Sequence, residues 1–132
     1  MSTIRVFLIE DHSHFRQSLA FLLERQANLQ VVAQAGSLAE ARRTTSHRWS
    51  EIDLVIIDLL LPDGSGTELI REMREANPTL RVLALTIVQS PKTLREAEEM
   101  GVDGVVSKAA PMEETLGAVR RLAGLEEART GR

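Results

Sequence analysis

The sequence predicts an α/β domain built on a parallel sheet, because buried-strand patterns alternate with helical patterns five times along the chain. Such alternation implies right-handed helical crossovers between parallel strands, with helices on both faces of the sheet. Acidic, hydroxyl and amine side chains follow several of the predicted strands. In α/β sheets this is the edge where ligands bind.

Composition limits the classes of protein that the chain can belong to. Its 132 residues are enough for one domain with a proper core, and no low-complexity segment or repeat is present. The absence of cysteine excludes disulfides, thiolate zinc sites and cysteine nucleophiles. A formal charge of −3 argues against direct binding of nucleic acid. We expect a cytoplasmic domain without a membrane contact, since no membrane span or secretory signal is visible in the sequence.

Five short apolar runs have the composition of strands. The run 54–57 is apolar throughout and three of its residues are β-branched, which suits a strand covered on both faces. It ends on Asp58, and a turn with one proline and two glycines follows. The predicted strands cover residues 4–9, 29–35, 54–58, 80–85 and 102–107.

Apolar residues at helical spacing, together with caps and breakers, predict five helices between and after these strands. The first has one core-facing stripe, and the second runs to about His47. From Gly124 the sequence is polar and carries no structural signal. The signals are the stripe Phe15, Leu19, Leu22 and Leu23, the capping boxes 37–40 and 65–68, Asn77–Pro78, Ser90–Pro91, Gly101 and Pro111.

Five polar residues lie at the carboxyl ends of the predicted strands. They are Glu10 and Asp11 after the first strand, Asp58 on the third, Thr86 on the fourth and Lys108 on the fifth. Three carboxylates at one edge repel each other unless a cation offsets their charge, and Mg²⁺ prefers oxygen ligands of this kind. A carboxylate nucleophile, a metal and a cation are the parts of phosphoryl transfer to aspartate.

These motifs resemble the receiver domain of bacterial response regulators. The resemblance covers residues 4 to about 123, through the acidic pair of Leu-Ile-Glu-Asp-His (8–12), the turn Asp-Leu-Leu-Leu-Pro-Asp-Gly (58–64), Leu85–Thr86 and Ser107–Lys108. The segment 100–109 is similar to receivers of the NarL/LuxR type, which usually precede a helix-turn-helix domain.

The resemblance implies a flavodoxin-like (βα)5 three-layer sandwich with a five-stranded parallel sheet in the order 2-1-3-4-5. Residues 1–124 would form the receiver, and 125–132 would be a polar tail or the start of a linker to an absent output domain.

The resemblance also implies a role for each residue of the strand-end set. Asp58 would accept a phosphoryl group from a sensor histidine kinase, Thr86 would bond a phosphoryl oxygen, and Lys108 would pair with the phosphoryl group or with Asp58. The chain would be a signalling phosphoacceptor, active only in its own phosphotransfer and dephosphorylation, and not an enzyme with turnover. The expected Mg²⁺ ligands are Glu10, Asp11, Asp58 and the backbone carbonyl of Leu60.

The implied output is a conformational or dimerisation change, with a homodimer as partner and DNA contacted only through the absent output domain.

Three positions depart from the family pattern. Val105 replaces the usual aromatic switch residue, Ile87 replaces a small residue after Thr86, and Ala109 replaces a frequent proline. The first departure leaves the signalling step without a rotating aromatic side chain.

Two alternatives come from other functional classes. A phosphatase of the haloacid-dehalogenase type requires Asp-x-Asp, but Leu60 occupies the second position. A degenerate receiver that binds partners without phosphorylation is compatible with Val105 and Ile87.

His12 and His14 are interpreted as solvated loop residues, because Mg²⁺ prefers oxygen ligands.

Overall fold

The computed structural model describes residues 3–45, 49–87 and 91–125. Within these residues, the five strands of one sheet alternate with five α-helices, as the sequence predicts. The strands are β1 (Ile4–Ile9), β2 (Leu29–Ala35), β3 (Leu54–Asp58), β4 (Arg81–Thr86) and β5 (Gly104–Ser107). The helices are α1 (Ser13–Glu24), α2 (Leu38–Thr45), α3 (Gly66–Ala76), α4 (Pro91–Glu99) and α5 (Met112–Leu122). The predicted end of α2 at His47, the cap Ser90 and the tail 126–132 lie outside the described residues.

The strands form one parallel sheet in the order β2-β1-β3-β4-β5, which confirms the expected order 2-1-3-4-5. Side chains of each central strand alternate between two apolar cores. Val55 and Ile57 face a core that includes residues of α2, α3 and α4, whereas Leu54 and Ile56 face a core that includes residues of α1 and α5. The fold is therefore a three-layer sandwich with helices on both faces of the sheet.

The fifth strand is shorter than the sequence predicts. It begins at Gly104 and not at Val102, because the backbone of Val102 completes the end of α4. The N–H of Val102 donates to the carbonyl of Ala97, and the N–H of Gly101 donates to the carbonyl of Glu98. With Gly101 at a φ of 73°, this is the Schellman arrangement that ends many helices.

Both predicted capping boxes are wrong in their second half. The hydroxyls of Ser37 and Ser65 do accept backbone N–H groups, from Glu40 and Thr67. The carboxylate of Glu40, however, accepts the N–H of Gly36, and that of Glu68 lies 3.5 Å from Arg42. Neither glutamate closes the reciprocal bond of a capping box.

A long-range cap holds α2 against the loop that follows β3. Residues 60–61 and 64–65 pair as a short antiparallel hairpin in this loop. From its tip, the Asp63 carboxylate accepts the N–H of Leu38 at 2.8 Å and that of Ala39 at 3.0 Å. These two bonds lower the pKa of Asp63. The loop beyond Asp58 is thereby fixed to the start of α2.

We predict that Asp63→Asn lowers the stability of the folded chain at neutral pH, because an amide offers only one oxygen to the two N–H groups. Since the pKa of Asp63 is lowered below its ordinary 3.8, the stabilisation is complete above that value. It is lost as the pH falls through the folded-state pKa. Urea unfolding of both proteins at pH 7 and at pH 3 checks this, and a stability difference that does not shrink at pH 3 would contradict it.

Candidate functional site

The parallel register brings the ends of β1, β3, β4 and β5 to one edge of the sheet. Ile9 pairs with Ile57, Asp58 with Leu85, and Thr86 with Ser107. Each predicted site residue is the last residue of a strand or follows it by one or two positions. Glu10, Asp58 and Thr86 are buried there, Lys108 is half-buried, and Asp11 is exposed.

The Lys108 ammonium lies between two buried carboxylates. Its Nζ is 2.8 Å from Oε2 of Glu10 and 3.0 Å from Oδ2 of Asp58. Burial alone would lower the pKa of Lys108, but the hydrogen bonds to Glu10 and Asp58 outweigh it and the pKa is raised. The lysine therefore stays charged and joins the ends of three strands through one cation.

Glu10 is the most completely enclosed charge in the site. Its Oε2 also accepts the N–H of His12 at 2.9 Å, while its backbone carbonyl accepts a bond from Nη1 of Arg16 at 2.7 Å. Its Oε1 is buried without a partner among the described residues. Burial raises the pKa of Glu10, and the negative charge of Asp58 adds to the rise. A positive charge beside Oε1 would offset this unfavourable burial of negative charge.

The three carboxylates are close enough to share a metal ion. Glu10, Asp11 and Asp58 each offer an oxygen, and these oxygens all lie within 4.8 Å of one another. A set of oxygen ligands with one buried, unpartnered carboxylate oxygen fits a hard divalent cation. Asp58 keeps its other oxygen, Oδ1, bonded to the N–H of Leu60 at 2.9 Å. Metal binding by the carbonyl of Leu60 stays a prediction.

The three departures from the family pattern lie on β5 or just beyond the ends of β4 and β5. Ile87 follows buried Thr86 and is 64% exposed, so an apolar side chain stands at the rim. Val105 is half-buried and packs against the core that contains α2, α3 and α4. Ala109 donates its N–H to the hydroxyl of Ser107, and all described peptide bonds are trans.

His12 has a role that sequence analysis missed. It is exposed, as predicted, but it is the N-cap of α1, where its Nδ1 accepts the N–H of Phe15 at 3.3 Å. Its own N–H bonds Glu10, so the cap joins the helix to the acidic pair. Histidine is not among the usual N-cap residues, and Asp11 and Ser13 on either side of it are, so the N-cap signals of the sequence do not point to His12.

Gly66 allows α3 to start directly against the strand that carries Asp58. A Cβ atom built on Gly66 would lie 2.5 Å from the carbonyl oxygen of Asp58, which no real contact allows. The N–H of Gly66 donates to the carbonyl of Leu59 at 3.0 Å. Only glycine permits this close approach, and it fixes the backbone at Asp58.

We predict that Gly66→Ala destabilises the folded chain by about 1–3 kcal/mol, because the added methyl forces α3 away from Asp58. The matched control is Gly117→Ala in α5, where a Cβ meets nothing within 4 Å. That change should stabilise by about 0.5–1 kcal/mol, as expected for glycine in a helix interior. Urea unfolding of both variants decides the matter, and a stabilising Gly66→Ala would contradict the close approach.

Comparison with known proteins gives one consistent family. The sequence model of the response regulator receiver domain matches residues 6–120. The DNA-binding transcriptional activator DevR/DosR of Mycobacterium tuberculosis is 38% identical over 105 residues, which are 80% of this chain and 48% of that protein. The chain spans about half the length of the curated relatives that it matches.

Two solved structures share the fold closely. A LuxR-family two-component response regulator from Aurantimonas sp. SI85-9A1 superposes with a TM-score of 0.82 at 32% identity, covering 93% of this chain and 86% of the other. A response regulator from Burkholderia pseudomallei, solved with a phosphorylated aspartic acid, a calcium ion and citrate, superposes with a TM-score of 0.75 at 29% identity. The coverage there is 92% of this chain and 69% of the other.

None of the described helices has the length and apolar character needed to span a membrane. The fold and the relatives agree with the resemblance drawn from the sequence. The chain belongs to the response regulator receiver domain family, and to its NarL/LuxR type.

Proposed function

We propose that this receiver is a phosphorylation-dependent switch in which Asp58 accepts a phosphoryl group from a sensor histidine kinase. The observation that carries the proposal is the ion pair between Lys108 and Asp58 at the mouth of an acidic cluster. The Asp58 side chain is almost wholly buried, although Asp58 is the last residue of β3 and lies at the edge of the sheet. A purely structural aspartate would not require a second and a third carboxylate beside it.

The transfer needs no proton from Asp58. One oxygen of its carboxylate forms the new O–P bond, while the N–P bond of the phosphohistidine breaks and the histidine nitrogen leaves with the electron pair. Asp58 can attack with Oδ2 once Lys108 shifts towards the phosphoryl oxygens, since Oδ1 is held by the N–H of Leu60. Thr86 would bond a phosphoryl oxygen with its hydroxyl.

The cofactor that fits is Mg²⁺, held by Glu10, Asp11, Asp58 and the backbone carbonyl of Leu60. Support comes from the grouped carboxylate oxygens and from the buried Oε1 of Glu10. The calcium ion in the Burkholderia relative adds to this support. When bound, the ion supplies positive charge that offsets the charge of the transferring phosphoryl group.

The output is proposed to be a conformational or dimerisation change passed to a helix-turn-helix domain outside this chain. DevR/DosR is a DNA-binding activator about twice as long as the matched region, which supports this arrangement. The proposed partners are therefore the kinase, a second copy of the receiver, and DNA through the output domain. The same family membership supports a cytoplasmic location.

Phosphorylation would add about −1.5 to −2 charges to a site that already holds three carboxylates. We propose that the domain takes part in its own phosphotransfer and dephosphorylation and has no further substrate. Response regulator receivers are a signalling family and not classical enzymes.

A second candidate function is a degenerate receiver that binds its partner without phosphorylation. Val105 at the usual aromatic position and the exposed Ile87 favour it. Because position 105 carries no aromatic side chain that could rotate, another side chain would have to transmit a movement of Thr86 to the surface near β5.

We predict that incubation with acetyl phosphate and Mg²⁺ adds one phosphoryl group to the wild type, measured by intact mass. Asp58→Asn should gain none, and chelation of the metal should abolish the gain. The matched control is Asp53→Asn at the opposite end of β3, where Asp53 pairs with Arg5 and should not affect uptake. A folded wild type that gains no mass would support the degenerate receiver, and uptake by Asp58→Asn would contradict the acceptor assignment.

A further inference from the structure

A third group lies close to the Lys108 ammonium, in addition to the two carboxylates. The ring of Phe15, in the first turn of α1, has its centroid 5.3 Å from Nζ of Lys108. This lies within the distance at which an aromatic face attracts a cation. We propose that Phe15 is a positioning residue that holds Lys108 at the phosphoacceptor, an inference that rests on the proposed function.

A lysine needs such a constraint more than other cations do. Its ammonium is a point charge on a flexible four-carbon stem. Hydrogen bonds to a few acceptors therefore still allow many conformations of the side chain. At Lys108 the acceptors are Oε2 of Glu10 and Oδ2 of Asp58, and the ring supplies a further partner. Only 14% of the Lys108 side chain is exposed.

The ring is placed by the same contacts that build the acidic pair. The N–H of Phe15 donates to Nδ1 of His12, and the N–H of His12 donates to Oε2 of Glu10. One turn of α1 therefore connects the aromatic ring to the carboxylate that the lysine also bonds. Arg16, the next residue, bonds the carbonyl of Glu10. The geometry joins ring, cap and carboxylate into one unit around the cation.

The contribution to phosphoryl transfer follows from where charge has to be neutralised. With acetyl phosphate, an Asp58 oxygen forms the O–P bond, the P–O bond to the acetyl group breaks, and acetate leaves with the electron pair. Atoms and electrons balance without a proton or a redox partner. Lys108 serves this step only while its ammonium stays within the site, where a short shift takes it from Oδ2 of Asp58 to the phosphoryl oxygens. The ring of Phe15, 5.3 Å from Nζ, favours a position in the site over one in solvent.

The test compares Phe15→Leu, which keeps apolar volume but loses the aromatic face, with Phe15→Tyr, which keeps both. Phosphorylation is followed by intact mass over a range of acetyl phosphate concentrations. Phe15→Leu should lower the maximal rate constant about threefold to tenfold, the size expected for a partly desolvated cation–π contact. The half-saturating concentration of acetyl phosphate should stay unchanged, and Phe15→Tyr should retain the wild-type rate.

The matched control is Phe21→Leu, on the same helix. The Phe21 ring lies 5.7 Å from the Arg25 guanidinium, and its side chain is exposed away from the site. The same substitution there removes a similar contact and should leave the rate constant unchanged. An equal fall in both variants would show a general effect on α1 and would overturn the inference.

A double-mutant cycle shows whether Phe15 acts through the lysine. Lys108→Met removes the cation, and in that background Phe15→Leu should cause no further loss of rate. A further loss of the same size as in the wild type would contradict the positioning role.

A spectroscopic measurement separates failure of this inference from failure of the proposed function. In the NMR spectrum, the ε-methylene protons of Lys108 should be shifted by the ring current of Phe15, and Phe15→Leu should remove that shift. An absent shift, or an unchanged rate in Phe15→Leu, would overturn the inference while wild-type uptake upholds the proposed function. If the wild type takes up no phosphate, the proposed function fails and the role in transfer fails with it, although a shift that Phe15→Leu removes would still establish the contact.

Discussion

A single ammonium group lies between two carboxylates that the apolar sheet has removed from water. The Nζ of Lys108 bonds Glu10 and Asp58, which come from the ends of different strands. Without that cation, two buried negative charges would face each other in a medium of low polarity, at a cost of several kcal/mol for each ion. The site therefore depends on a constraint of charge balance, which the lysine satisfies only in part because Oε1 of Glu10 has no partner among the described residues.

The surrounding structure serves to keep this balance in place. Backbone groups hold the carboxylates, through the N–H of His12 for Glu10 and the N–H of Leu60 for Asp58. Gly66 lets α3 approach the strand that carries Asp58, and the side chain of Asp63 fixes the following loop to α2. A change of charge at Asp58 would act first on Lys108 and on the loop, because both donate hydrogen bonds to its carboxylate. That arrangement suits the proposed switch, in which Val105 stands at the position of the family's usual aromatic residue.

Most of the fold could be predicted from the sequence, because period and composition report burial directly. The run 54–57 is apolar on both faces since the sheet is covered on both sides, and the structure places it in the central strand. The site could be predicted for a related reason. Parallel topology brings all strand ends to one edge, so residues such as Glu10 and Lys108, 98 positions apart, had to meet there.

What could not be predicted depends on side-chain contacts between distant segments. The bonds from Asp63 to the start of α2 span about 25 residues, and no local pattern marks them. The two capping boxes were predicted from local spacing, but Glu40 and Glu68 found other partners in the folded chain. The contact of Phe15 with Lys108 belongs to the same class, since the helical stripe indicated only that Phe15 faces inward.

The acidic cluster holds three carboxylates against the single positive charge of Lys108, and we propose that a divalent cation offsets the remaining negative charge. The most direct measurement is the thermal midpoint of unfolding at increasing Mg²⁺, with NaCl of equal ionic strength as reference. Because a ligand that binds only the folded state stabilises it in proportion to ln(1 + [L]/Kd), the wild type should show a saturable rise that is strongly reduced in Asp11→Asn. Equal responses of the two proteins, or no rise beyond that of NaCl, would contradict metal binding by this cluster.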